Sequence, residues 1–288
     1  MSAAHRMISG EPMIEFITSP FTYSFMQRGF LAALLVGVLC SVVGVYIVLR
    51  GMAFLGDALA HAILPGVAIA YLLGGNLILG AFVAAIAVAI GIGFFSSEGT
   101  IKEDTAIGIL FSAAFALGVA LISSIRTYAV DLSHILFGNV LGVSEKDLIL
   151  TAVLTGIILI IVAVNYKQFM VISFDPILAT MMRLPVQFLR YLMLVMLGLT
   201  VVVSIQTVGV GLAAAMLVTP AASAYLLTRR LPSMMIVSAI IGAISSVVGL
   251  YISYYINIAS GSAIVLTATL IFLLAFAFSP RRSKITHS

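Results

Sequence analysis

Residues 28–50 read Arg-Gly-Phe-Leu-Ala-Ala-Leu-Leu-Val-Gly-Val-Leu-Cys-Ser-Val-Val-Gly-Val-Tyr-Ile-Val-Leu-Arg, two arginines enclosing 21 residues without a charged side chain. A stretch of about 20 apolar residues is what a helix needs to cross a bilayer. In lipid such a segment must satisfy its own backbone, so it is a helix. The same reading extends along the chain. Asp57 to Glu98 encloses about twice that length, broken at Gly74, Gly75 and Asn76, and holds His61 as its one histidine. Asp104 to Arg126 and Asp147 to Lys167 each enclose one span. Arg190 to Arg229 is double, with a break at Gln206, Thr207, Gly209 and Gly211. Arg230 to Arg281 is also double, with a break at Asn257, Ser260 and Gly261. The fold predicted is all-α, a single polytopic membrane domain over residues 1–288 with about nine transmembrane helices. Eight result if one double run holds a re-entrant segment.

Composition supports this over the whole length. Of 288 residues, 62% are hydrophobic and 8% charged, with a mean hydropathy of +1.26, where soluble domains carry about 25% charged residues. Cys40 is the only cysteine, which excludes an internal disulfide and a cysteine-built zinc site. The net charge of +4 comes from cations at segment ends rather than from a basic face, which argues against nucleic-acid binding. Glu11 and Glu15 interrupt any signal-peptide core, and residues 13–27 read as an interfacial amphipathic stretch. With the C-terminus in the cytosol, ten lysines and arginines fall on cytosolic segments and four (Arg6, Arg28, Arg126, Lys146) on outer ones. That bias fixes the orientation expected, and nine spans then put the N-terminus outside.

Enzymatic motifs are missing. No GxxxxGK occurs, so the chain has no P-loop, and HExxH and GxSxG are absent too. Gly209-Val210-Gly211 with Ala214 imitates a dinucleotide fingerprint, but it lies in membrane sequence without the strand the motif needs. No catalytic residues are expected.

The informative cluster is Gly56-Asp57-Ala58-Leu59-Ala60-His61-Ala62-Ile63-Leu64-Pro65-Gly66. Asp57 and His61 are four apart and share a helical face. Pro65 cannot donate to the carbonyl of His61 and is expected to kink the span. A carboxylate and an imidazole suit manganese, iron(II) or zinc rather than copper(I). Ionisable groups inside a membrane segment are functional candidates, so Asp57 and His61 are candidate transient metal ligands. The structural alternative is that Asp57 caps its helix and His61 bonds a neighbouring helix as a neutral imidazole.

Five weaker features follow. Asp131 and His134 form an outer-loop pair, either a partner contact by charge or a solvated loop. Glu103-Asp104-Thr105 reads as a helix start with acids at its positive end. Asp175 as N-cap and Pro176 as first residue begin a short cytosolic helix that Pro185 stops; its apolar side chains need a partner or a lipid surface. Pro220 is expected to kink its span, while Gly242, Ser245, Ser246 and Gly249 give one helix a close-packing face.

Across Pro20 to Arg281 the chain resembles the permease subunit of bacterial metal-type ABC importers, the ABC-3 family that takes up manganese, zinc or iron(II). The residues that carry the resemblance are Pro20-Phe21 with Phe25-Met26-Gln27-Arg28; Arg50 with Phe54-Leu55-Gly56-Asp57-Ala58 and His61-Ala62-Ile63-Leu64-Pro65-Gly66-Val67; Lys102 to Gly108; Phe174-Asp175-Pro176 with Ala179 and Leu184-Pro185; and Gln206-Thr207-Val208-Gly209 with Leu217-Val218-Thr219-Pro220-Ala221-Ala222. The resemblance implies a type II importer fold and a homodimer in the bacterial cytoplasmic membrane. It implies a cytosolic ATPase that binds the ATP, an extracytoplasmic metal-binding protein, a divalent metal as cargo and no permanently bound cofactor. It makes residues 173–190 a coupling helix, with Asp175, Pro176, Ala179, Leu184 and Pro185 facing the ATPase. Arg183 stands where such permeases usually have glycine, and Ile177 where an acid is common. The Gln206-Thr207-Val208-Gly209 run is closer to manganese-type members. The rivals are a siderophore or cobalamin ABC permease, in which Asp57 and His61 have no ligand role, and a secondary cation transporter, which needs deep acids that this sequence lacks.

Overall fold

The computed structural model describes residues 18–97, 101–124 and 140–279. Every regular element among them is helical. A 3-10 turn over Ser19–Thr22 precedes α1 (Ser24–Leu49), which takes up the end of the expected amphipathic stretch. The next span is divided into α2 (Leu55–Ala62) and α3 (Leu64–Leu72). α4 (Leu77–Ser97), α5 (Glu103–Ser123) and α6 (Glu145–Val164) follow. Two short helices, α7 (Tyr166–Phe174) and α8 (Pro176–Met181), lead to α9 (Val186–Val208), α10 (Val210–Leu227), α11 (Leu231–Ile256) and α12 (Ser260–Ala277). Counting α2 and α3 together, nine of the described segments are long and apolar enough to cross a membrane.

The breaks lie where polar and glycine residues interrupt the double runs. Gly74 has φ +65°, and the Asn76 carboxamide accepts from the Ile78 and Leu79 amides to start α4. Asn257 closes α11 at φ 62°. α9 and α10 are joined by Gly209 alone, at φ 86° and ψ 168°. Pro220 does not divide α10, which continues on both sides of it; a single proline can be absorbed in a membrane helix when neighbours re-satisfy the backbone.

Packing centres on α1, against which α11, α10, α9 and α6 lie. Helices associate in lipid through close contact and hydrogen bonds rather than hydrophobic force. The α11 face does this as expected. Gly37 and Gly242 bring two backbones together, Ser238 donates to the carbonyl of Ser41 (2.8 Å) and Ser246 to that of Ala33 (2.9 Å). Gly66 of α3 and Gly80 of α4 likewise meet backbone to backbone.

Candidate functional site

The site starts from the broken second span. α2 stops at Ala62, Ile63 lies between, and Pro65 occupies the first turn of α3. Proline is tolerated there because its missing N–H is one of the unsatisfied helix-start donors anyway. The expected kink at Pro65 therefore shows as a one-residue interruption at Ile63, whose backbone stays in the right-handed helical region (φ −79°, ψ −15°). Gly118 of α5 fits against it: a Cβ there would stand 2.7 Å from Leu64 Cβ and 3.1 Å from the Pro65 nitrogen.

Asp57 lies in the first turn of α2 and His61 in its last. Their side chains come together, His61 Nε2 to Asp57 Oδ1 at 3.7 Å, and remain 27% and 45% exposed. At metal–ligand lengths of about 2.1 Å, one divalent ion bridges atoms this far apart with an angle of roughly 120° at the metal. Nothing caps α2 through a side chain, since Phe54 is its N-cap. His61 Nδ1 is buried without a protein hydrogen-bond partner. The imidazole is held instead by rings, edge-on to Phe115 (5.7 Å between centroids) and tilted to Phe111 (6.2 Å). A metal-ligating histidine usually donates its other N–H to an acceptor, and the described residues bring none to His61 Nδ1. Among the described residues no group of three or more His, Cys, Asp or Glu comes together. Asp131 and His134 lie outside the described residues.

The segment between α7 and α9 forms as the N-cap reading expects, with one difference. Asp175 Oδ1 accepts from the amides of Ile177 (3.0 Å) and Leu178 (2.9 Å), and Pro176 opens α8. α8 ends at Met181, well before Pro185. The stop is made by Arg183 at φ 55°: its amide bonds the Thr180 carbonyl (3.0 Å) and the Leu184 amide bonds that of Ala179 (3.1 Å). This is the paired 5→2 and 6→1 closure of a helix that ends in a left-handed residue. Pro185 instead precedes α9 as its N-cap. Ala179 is fully buried, while Phe174, Ile177, Leu178, Met181 and Met182 are exposed. The segment thus rests on Ala179 and holds an apolar surface outward.

Sequence reading missed the contacts of Glu103. The N-cap of α5 is Lys102, with no side-chain cap bond, and Glu103 reaches two arginines. Arg50 Nη2 lies 2.6 Å from Glu103 Oε2. Arg190 meets both carboxylate oxygens, Nη2 to Oε2 at 3.3 Å and Nε to Oε1 at 3.4 Å, and donates from Nη1 to the Ser96 carbonyl (3.2 Å). The three side chains are mostly buried. Desolvation lowers the proton affinity of Arg50, which Glu103 opposes and Arg190 reinforces. The available signal was that span counting puts Arg50, Glu103 and Arg190 at one membrane face. At the other face Arg28 and Glu145 lie 4.0 Å apart.

Comparison with known proteins agrees with the architecture. The ABC 3 transport family matches residues 22–279. The chain is 47% identical over 271 residues to the manganese transport system membrane protein MntC of Halalkalibacterium halodurans, covering 94% of this chain and 93% of the relative. It is 42% identical to the chelated iron transport system membrane protein YfeD of Yersinia pestis, covering 93% and 90%. Among solved structures, PsaBC from Streptococcus pneumoniae in complex with Fab superposes with a TM-score of 0.83 at 42% identity, covering 96% of this chain and 99% of that one. Nine apolar spans among the described residues, a family match over residues 22–279 and near-half identity to relatives covered almost end to end converge: the chain is a multi-pass membrane permease of the ABC 3 transport family.

Proposed function

We propose that this permease forms the membrane path of an ATP-driven importer of divalent metal ions, with manganese as its cargo. The observation that carries this is the Asp57–His61 pair, half open on a broken membrane helix, in a chain whose relatives include proteins named for manganese transport. A bare divalent ion loses much solvation free energy in a low-dielectric path, so ligands must meet it, yet it must also leave. Two donors, one held only by rings, meet both needs. The same donor types suit iron(II) and zinc, and the name of the iron-transport relative keeps iron in view.

The chain carries no nucleotide-binding motif, so the driving force comes from a cytosolic ATPase. Its docking surface is the apolar face of α8 with Asp175, Pro176, Ala179, Leu184 and Pro185 as the frame. Metal arrives from an extracytoplasmic binding protein, with Asp131 and His134 on the face that receives it. Two copies of the chain sit side by side, with their C-termini in the cytosol of a bacterial cell. The test is Asp57→Ala and His61→Ala in the complete transporter in proteoliposomes, with radioactive manganese. Uptake should fall at least tenfold at unchanged membrane abundance; unchanged rate and affinity remove both residues from the path. Competition by iron(II) and zinc in the same assay ranks the cargoes.

A further inference from the structure

α5 carries a single stripe along its length. Glu103, Ile107, Phe111, Phe115 and Gly118 follow one another at spacings of four, four, four and three, so they share one face, about 22 Å from first to last at 1.5 Å per residue. Each touches a different part of the machinery. Glu103 holds Arg50 and Arg190, and Ile107 is buried in the core. Phe111 meets the ring of Phe54 edge-on (5.6 Å), just ahead of α2. Phe115 packs on His61. Gly118 abuts Leu64 and Pro65 at the break itself. The opposite face of α5 exposes Ile109, Leu117 and Val119. The helix is therefore a bar fixed at its foot by ions and lying along the broken span.

The foot is joined to the segment assigned to the ATPase. Arg190 sits in the second turn of α9, which starts directly after Arg183, Leu184 and Pro185. Arg190 grips the carboxylate through two nitrogens and the end of α4 through a third. A two-pronged guanidinium transmits direction as well as charge. Arg50, at the end of the buried α1, holds the same carboxylate from the core side.

We infer that Glu103 is a positioning residue for transport: it passes displacement of the cytosolic segment through Arg190 to α5, and so to the break that carries His61. This rests on the docking role proposed for α8. Intermediate position in space is not evidence of coupling by itself, so the test must separate a transmitting contact from a merely cementing one.

The test uses the complete transporter, permease with its ATPase and metal-binding protein, in proteoliposomes. ATP hydrolysis and radioactive manganese uptake are measured on the same preparation. Glu103→Gln should leave ATPase co-purification and hydrolysis within twofold of the parent, and leave the half-saturating manganese concentration unchanged. Manganese moved per ATP should fall at least tenfold. Glu103→Asp, with the charge on a shorter arm, should recover part of the ratio. Arg190→Gln should match Glu103→Gln, and the double variant should be no worse than either. A parent-like transport ratio in Glu103→Gln overturns the inference, as do multiplicative losses in the double variant or loss of ATPase association. If Glu103→Gln fails to accumulate, Arg190→Lys decides: it keeps the charge without the fork and should lower the ratio at least threefold, and a parent-like ratio overturns the inference. The docking reading fails separately, if Ile177→Asp and Met181→Asp retain the ATPase undiminished.

Discussion

α1 and the α2–α3 pair cross the same membrane side by side in sequence and are buried to a similar extent, 72% and 67% of their most apolar stretches, yet one is continuous and the other interrupted. α1 runs 26 residues without interruption. Its neighbours approach through glycine: a Cβ at Gly44 would run into the Leu217 carbonyl, and one at Gly37 into Ser246. Buried hydroxyls on adjoining α9 are satisfied within their own helix, Thr200 on the Met196 carbonyl and Ser204 on that of Thr200. The second span is shorter, split at Ile63, and flanked by α5, of which only 17% is buried within this chain. It carries Asp57 and His61. Glycine keys contacts in both spans, so the difference lies in the interruption at Ile63 and in the sparsely covered α5 beside it, where Asp57 and His61 are found.

Substitutions can break this contrast from either side. The largest effect is expected on α1. Gly44→Ala forces a methyl into a backbone contact, an overpacking of about 3 kcal/mol or more, and should deplete folded protein from membranes, as a blot against the parent will measure. Beside the interrupted span Gly118→Ala should act differently. Its Cβ meets Leu64 and Pro65, but the other side of α5 is little covered by this chain. Abundance should stay near parental while manganese uptake drops about tenfold, a barrier change of about 1.4 kcal/mol. Pro65→Ala restores an amide that can donate to the His61 carbonyl and close the break. An equilibrium shift of about 1 kcal/mol toward a continuous span should slow uptake about fivefold, with unchanged or higher thermal stability in detergent. If Gly118→Ala and Gly44→Ala behave alike, the contrast between the continuous and the interrupted span is wrong.

The smallest effect is expected at Arg183. A left-handed conformation costs a non-glycine residue about 1–2 kcal/mol, so Arg183→Gly should stabilise the turn after α8 by about 1 kcal/mol. Slower amide exchange at Leu184 and Arg183 would register it. Unchanged exchange would mean that the neighbouring contacts, rather than the residue type, hold the turn.

The sequence makes some of these features readable and hides others, for physical reasons. The spans follow from gaps between charges because lipid leaves a long apolar segment no other option. Asp175 could be recognised because an N-cap is a local event, two bonds to amides two and three residues on. The interruption at Pro65 is visible in the sequence because a proline cannot donate to the carbonyl four residues back. The Glu103 cluster was not visible. Its partners lie 53 and 87 residues away, and each of the three reads, taken singly, as a charge at a span end. The end of α8 was placed at Pro185 because proline is a strong stop signal, whereas an arginine at φ 55° breaks the rule that glycine takes that position. α7 was not foreseen either, since its nine residues lie in what charge spacing marks only as a connecting loop.

The one-residue join at Gly209 carries a last implication. Its backbone falls in a region that only glycine occupies comfortably, and there is no slack on either side of it. The end of α9 is thus tied to the start of α10 through a single residue, so any shift of Val208 along the helix axis reaches Val210 with one backbone unit to absorb it.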